Sequence, residues 1–428
     1  MSEWKRYKLG DLLRVKHGWA FKGEFFSETG IQSILTPGNF YESGGFKANT
    51  SKDRFYIGEY PKEYLCSKGD LIVAMTEQAA GLLGSTAIVP EDNRYLHNQR
   101  IGLISCNEYL NKDFAYYLFM TQTVRQQISR SASGTKVKHT SPEKIYEVQV
   151  YIPKTQTQRN IAKILTTLDQ KIQINHQVNQ ELEAMAKTLY DYWFVQFDFP
   201  DQNGKPYKSS GGKMVYNPEL KREIPEGWGV EKLGELIQLE RGVTYAKSDI
   251  VEKTTNDAIG VLRATNITGN VMDLNDLVYL TKDIINNKQI IKQNETLIVM
   301  SSGSKEHLGK NAINYYEEVI GFGAFCSKIV PQKYSAYINT FLQSSEFKGY
   351  LLKQSMGTNI NNLTNSDILD CRIILPNEEI LDKFENMVEK NIKLISNNYI
   401  QNQELTQLRD WLLPMLMNGQ VKVENYTD

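Results

Sequence analysis

Cysteine is scarce in this 428-residue chain. The four present, Cys66, Cys106, Cys326 and Cys371, are scattered, with no CxxC pair among them. That spacing argues against a zinc site or a disulfide frame and fits a reducing cytoplasm. Long apolar runs are missing too. No stretch reaches the roughly 18 residues of a membrane helix, and the opening MSEWKRYKLGD has no apolar centre like that of a signal peptide. A cytoplasmic protein with no membrane association is the expectation. Charge of one sign is also lacking, since 49 basic residues face 50 acidic ones. By segment, residues 1–150 carry a net +3, 227–375 a net −1 and 376–428 a net −4. A nucleic-acid binder built this way must gather its positive charge on one face.

Catalytic signatures are likewise absent. The stretch Gly303–Asn311 approaches a phosphate loop but has one residue too many between its glycines, and Asn311 stands where magnesium needs Ser or Thr. No Asn/Asp-Pro-Pro-aromatic motif for base methylation occurs, and five dispersed histidines make neither a metal cluster nor a triad. Pro200-Asp201 followed by Glu219-Leu220-Lys221 has the form of a metal-dependent nuclease site. Such carboxylates need adjacent strands, whereas these lie in a Pro-, Gly- and Lys-rich stretch, so the motif is set aside. The chain is expected to hold no metal and to catalyse nothing itself.

What the chain does have is a duplication. Trp4-x3-Lys8-Leu9-Gly10-x-Leu12-x5-Gly18 recurs as Trp228-x3-Lys232-Leu233-Gly234-x-Leu236-x5-Gly242. Leu71-Ile72-Val73 recurs as Leu297-Ile298-Val299, Gly134-Thr135 as Gly357-Thr358, and Asn179–Leu182 as Asn402–Leu405. The offset stays between 223 and 226 throughout. Each half opens with short apolar runs broken by Gly, Asn and Pro, which predict strands and turns, and ends in a long helical run. The expected fold class is therefore α+β: two tandem α/β domains related by a pseudo-two-fold axis, each followed by a long helix. Boundaries fall at 1–155 for the first domain, 156–198 for its helix, 199–226 for an exposed linker, 227–377 for the second domain, 378–419 for its helix and 420–428 for a tail.

Both long helices carry a 4-3 apolar spacing, which predicts an antiparallel coiled coil. At 1.5 Å per residue, about 38 residues make a rod of roughly 57 Å. The seam is interrupted at its midpoints by Asn175 and Asn179 in the first helix and by Asn398 and Asn402 in the second. If the halves obey a two-fold, these asparagines meet at the axis and set the register of the pair.

The remaining chemistry is binding chemistry in loops. Candidates in the first half are Asn39, Gln78, Gln99, Arg100, Thr135, Lys136, Lys138 and His139. In the second they are Arg263, Asn266, Ser304, Lys305, Thr358, Asn359, Asn361 and Asn362. Asn, Gln and Arg can make two hydrogen bonds to one base edge, while Lys, Ser and Thr suit phosphates. The framework repeats while these loops differ, as two readers of different sequences would.

With its paired Trp-x3-Lys-Leu-Gly openings, Ile34-Leu35-Thr36-Pro37-Gly38-Asn39-Phe40, Asn98-Gln99-Arg100-Ile101, the Gly-Thr loops, Trp193–Asp198 and Leu412-Leu413-Pro414, the chain resembles the specificity subunits of type I restriction–modification systems. The resemblance implies two target-recognition domains, each reading half of a bipartite site on double-stranded DNA, held apart by the paired helices. It also implies two methyltransferase subunits bringing S-adenosylmethionine, and motor–nuclease subunits bringing ATP and Mg²⁺, with no cofactor on this chain. The second half departs in showing Ala264-Thr265-Asn266 where the first has Thr-Pro-Gly-Asn. Competing readings are a tandem protein-interaction scaffold and a stand-alone nuclease.

Overall fold

The computed structural model describes residues 4–48, 53–79, 81–134, 137–274, 276–303, 307–355 and 362–423. The chain divides into two units, Met1–Lys171 with Glu404–Asp428, and Ile172–Gln403. Each unit holds the strand-rich part of one half of the sequence.

In the first unit, Leu71–Ala74 is a run of four apolar residues, all buried, as a strand covered on both faces must be. It lies inside a four-stranded sheet ordered Leu13–His17, Ile101–Cys106, Leu71–Ala74, Thr86–Ile88, with every pairing antiparallel. The second unit repeats this order with Ile237–Arg241, Cys326–Pro331, Thr296–Val299 and Asn311–Ile313, again all antiparallel. Each unit adds a smaller sheet containing one parallel pair, Ser33–Ile34 with Tyr95–Leu96 in the first and Ala258–Leu262 with Ile320–Phe322 in the second. A two-stranded ribbon, Lys5–Lys8 with Gln149–Ile152 or Gly229–Lys232 with Arg372–Leu375, completes each repeat.

The repeated Lys-Leu-Gly opening has a packing cause. Lys8 pairs with Glu147 at 2.7 Å, and Lys232 with Asp370 at 2.6 Å. Leu9 and Leu233 are wholly buried, and each donates its backbone N–H across the ribbon, to Val148 and Cys371 respectively. Gly18 and Gly242 allow a close approach: a Cβ would collide with the carbonyl of Asn98 in one case and of Gly323 in the other.

The long helices are Thr155–Tyr190, continued by a widened π turn over Asp191–Val195, and Glu378–Met417. Each contributes to both units. In the second unit the end of the first helix presents Tyr190, Trp193 and Phe194 to Tyr337 and Phe384, with the Phe194 ring 4.7 Å from Tyr337 and 5.0 Å from Phe384. In the first unit the end of the second helix buries Leu416 and Met417 in the same core as Leu9, Phe114 and Leu165. On the 4-3 stripe, Ile161, Leu165, Leu168, Ile172, Leu182, Ala186, Leu189 and Trp193 of the first helix and Phe384, Val388, Asn391, Ile395, Leu405, Arg409, Leu412 and Leu416 of the second are buried or half-buried, as are the four asparagines.

The asparagines meet within the second unit. Asn175 donates to the side chain of Asn402 at 2.8 Å, and Asn398 donates to that of Asn179 at 2.8 Å. Asn179 also donates to the carbonyl of Ile395, and Asn402 to that of Ile172. Those four bonds interconvert under the 223-residue offset, so the helices run antiparallel there and the layer has two-fold symmetry.

The segment expected as an exposed linker is folded. Met214–Asn217 and Arg222–Pro225 form a hairpin, Ile224 is buried, and Phe199 is stacked on Trp228 at 4.7 Å. It stays largely exposed, as expected, but its prolines and glycines shape turns between aromatic anchors rather than leaving it unstructured. Among the described residues no helix is long and apolar enough to cross a membrane.

Candidate nucleic-acid interface

The predicted binding loops of the first half converge at one end of its four-stranded sheet. Met75 donates its backbone N–H to the carbonyl of Arg100, and Thr140 donates to the carbonyl of Met75. Glu77 donates to the carbonyl of Lys138, and Thr76 forms a backbone bridge with His139. Three segments, around Gln78, Gln99–Arg100 and Lys138–His139, are thereby stitched together at the end of the strand Leu71–Ala74.

The side chains there are available. Gln78, Gln99, Arg100, Lys138 and His139 are exposed. His139 is aimed by a 3.1 Å contact of its Nδ1 with Thr76 Oγ1. Lys138 lies 4.0 Å from Glu77 and 3.4 Å from Ser129 Oγ, too loosely tied to be withheld from a phosphate. The Arg100 guanidinium stands on a two-residue turn fixed at both ends, by Gln99 donating to Trp19 and Ile101 donating to Asn98.

The second half builds the same junction from different residues. Met300 and Ser301 donate to the carbonyl of Phe325, Leu363 donates to that of Met300, and Ser301 forms a backbone bridge with Asn362. The Ser301 hydroxyl donates to the exposed Asn362 side chain, as Thr76 pairs with His139. Ala324 and Phe325 occupy the turn that Gln99 and Arg100 occupy in the first half, and Ala324 donates to Val243 as Gln99 does to Trp19. Phe325 is 65% exposed. Nothing in its residue type marks it as a base-reader; its 225-residue offset from Arg100 is the one signal the sequence carries.

Three predicted residues serve the framework instead. Asn39 is buried; its side-chain oxygen accepts from the Thr36 N–H at 2.8 Å and its amide donates to the Lys47 carbonyl at 3.3 Å. Asn266 is buried in the same way, accepting from the Arg263 N–H at 2.8 Å and donating to the carbonyls of Asp273 and Asp276. Each closes a one-turn helix, because a short side-chain amide can replace backbone partners at a turn. Thr-Pro-Gly-Asn and Arg-Ala-Thr-Asn are therefore one device, and only the asparagine needs to repeat. Arg263 is tied to Asp276, through its carboxylate at 2.8 Å and its carbonyl at 2.9 Å. Thr135, Lys136, Ser304, Lys305, Thr358, Asn359 and Asn361 lie outside the described residues.

The nuclease-like triplet does not converge. Asp201 accepts the N–H groups of Asn203 and Lys205 in a turn, while Glu219 pairs with Arg372 at 3.1 Å. No group of three or more His, Cys, Asp or Glu able to hold a metal occurs among the described residues.

Comparison with known proteins places the chain in a family. The family profile described as the type I restriction modification DNA specificity domain matches residues 1–184 and again 225–405, one match per half. The MjaIX specificity subunit of Methanocaldococcus jannaschii is 28% identical over 320 residues, covering 73% of this chain and 69% of the relative. The HindI specificity subunit of Haemophilus influenzae is 24% identical, covering 98% of this chain and 100% of the relative. The crystal structure of a type I restriction-modification S subunit from M. genitalium shares the fold, with a TM-score of 0.53 at 14% identity over 97% of this chain and 96% of that one. With two profile matches spanning both halves, the chain belongs to the type I restriction–modification DNA specificity family and is a specificity subunit.

Proposed function

We propose that this chain is the sequence-reading subunit of its complex, each half contacting one half of a bipartite site on double-stranded DNA. The observation that carries this reading is the repeated three-segment junction, which shares its main backbone bonds between the halves and differs in its exposed side chains. One frame presents Gln-Arg and His, the other Ala-Phe and Asn. At equivalent exposed positions of this junction the two halves carry side chains of different chemistry, as two readers of different bases would. Base-edge readout depends on such a rigid frame with exchangeable tips.

The chain itself performs no chemistry in this reading. Two methyltransferase subunits dock on the long helices and supply S-adenosylmethionine, and motor–nuclease subunits supply ATP and Mg²⁺. Apolar residues left exposed on those helices support docking: Ile174, Val178 and Met185 on the first, and Met387, Leu394 and Trp411 on the second.

Methylome sequencing of the host tests the proposal. Removal of the chain abolishes one bipartite methylation motif, and Arg100→Ala relaxes only one half of it. A motif that persists without the chain, or both halves relaxing together, would refute the reading and favour a scaffold role. Lengthening both helices by the same number of turns widens the unread gap and leaves the bases unchanged.

A further inference from the structure

The tip of the second half is apolar where that of the first is cationic. Both tips are two-residue turns held by the same set of backbone bonds, so their conformations are set before any partner arrives. Gly323 closes the turn onto Gly242, and Cys326 donates back to Gly323, as Ile101 does to Asn98. The turn holds out one ring, Phe325, 65% exposed, next to Ala324 in the turn and, among the described residues of the adjoining segment, the exposed Asn362. The predicted arginine of this half, Arg263, is tied to Asp276.

Exposed single apolar residues are common on protein surfaces and usually mean nothing. This one stands on a rigid turn, at the position that carries the arginine in the other half, beside the same cross-segment side-chain bond. The major groove offers only one apolar feature, the 5-methyl group of thymine, and an arginine at the same place suits the O6 and N7 acceptors of guanine. Resting on the DNA-reading role above, we infer that Phe325 specifies a thymine in the second half-site by packing against its methyl group. Arg100 is then its counterpart for guanine in the first. The pre-set turn keeps the entropic cost of the contact low, because little chain is immobilised on binding.

The experiment uses the chain in complex with its methyltransferase partner. Methylome sequencing first defines the motif; duplexes are then made with deoxyuridine replacing each thymine of the second half-site, which deletes only the methyl group. One position is expected to weaken binding by about four-fold, the factor that burying one methyl carries. In Phe325→Ala that response disappears and the methylome relaxes at the same position, while Phe325→Leu, still apolar, keeps part of both. A second half-site without thymine, no response at any thymine, or an unchanged response in Phe325→Ala overturns the inference yet leaves the DNA-reading role standing. Loss of sequence preference in the parent complex itself would overturn both.

Discussion

The two units anchor equivalent helix ends by different physics. In the first, Asp169 accepts the Tyr117 hydroxyl at 2.6 Å and the Arg409 guanidinium at 2.8 Å. Burial and the neighbouring Asp169 carboxylate push the Tyr117 hydroxyl far above the usual phenol range. The 223-residue offset carries Tyr117, Asp169 and Arg409 onto Thr340, Ile392 and Ala186 of the second unit. None of these can form the network, and together they line a cavity of about 240 Å³. The second unit compensates a turn further along with Tyr190, Trp193, Phe194, Tyr337 and Phe384, where the first has Leu413, Leu416, Met417, Phe114 and Ile161. A duplicated frame thus tolerates exchange of a charged joint for an aromatic one, provided that the backbone bonds around it are kept.

The largest effect should come from breaking the aromatic joint. Phe384 is wholly buried and its ring lies 5.0 to 6.3 Å from four other rings. Phe384→Ala is expected to cost about 3–5 kcal/mol, the usual range for a buried phenylalanine. Hydrogen exchange should show protection lost across Ile172–Gln403 and kept in the sheet of Leu71–Ala74. Uniform loss in both units would mean that they do not behave as separate cooperative bodies.

Breaking the charged joint should cost somewhat less. Asp169→Ala leaves Arg409 with only Asp410, at 2.8 Å, and Tyr117 with a 3.5 Å contact to Thr166. Orphaning buried donors predicts a loss of about 2–3 kcal/mol, confined to the first unit. Its readout is faster exchange in Glu404–Met417, and an effect below about 0.5 kcal/mol would show that the network is ornamental.

Filling the void tests the same comparison from the opposite direction. Ala186→Leu places apolar volume into the cavity beside Val388 and Ile392 and should stabilise the second unit by about 1 kcal/mol. Denaturant unfolding with a probe on Trp193 or Trp228 would register it as a higher midpoint at unchanged slope.

Most of the frame was legible in the sequence because repetition leaves a regular mark. Paired Trp-x3-Lys-Leu-Gly openings carry a paired ion pair and a paired ribbon bond, and the 4-3 stripe carries the helix seam. The asparagine layer could be placed because the offset that relates the halves also relates its members. The interface was only partly legible, since a polar side chain in a loop serves equally as a cap or a reader. Asn39 and Asn266 became caps through partners such as Lys47 and Asp273, reached through loop conformations that periodicity does not encode. Phe325 was hidden for the converse reason: an apolar residue among other apolar residues reads as core until the turn beneath it is known. The folded stretch around Tyr207 and Trp228 defeated composition, because a few aromatic anchors outweigh many turn formers.

The smallest predicted difference is in the response to acid, and it should have opposite signs in the two units. Glu183 faces the cavity of the second unit together with Lys187, Lys348 and the buried Tyr315, and burial pushes its carboxyl up to about 7. The folded state therefore holds that proton over a range in which the unfolded chain, near 4.5, has released it. The second unit should gain stability as pH falls from about 7 toward 4.5. His97 in the first unit is buried, with Nε2 against the Ile101 carbonyl at 2.8 Å and Nδ1 unpartnered, and burial holds its ring down at about 4. There the unfolded chain binds the proton first, so the first unit should lose stability as pH falls below about 6.5. Exchange rates at pH 6.5 and 5.0, corrected for intrinsic chemistry, should diverge between the units by an amount on the order of 1 kcal/mol. Glu183→Gln should flatten the second slope and His97→Gln the first, each without altering the other. Parallel slopes in the parent chain would mean that the remaining carboxylates dominate both units and that the two buried groups do not set their acid response.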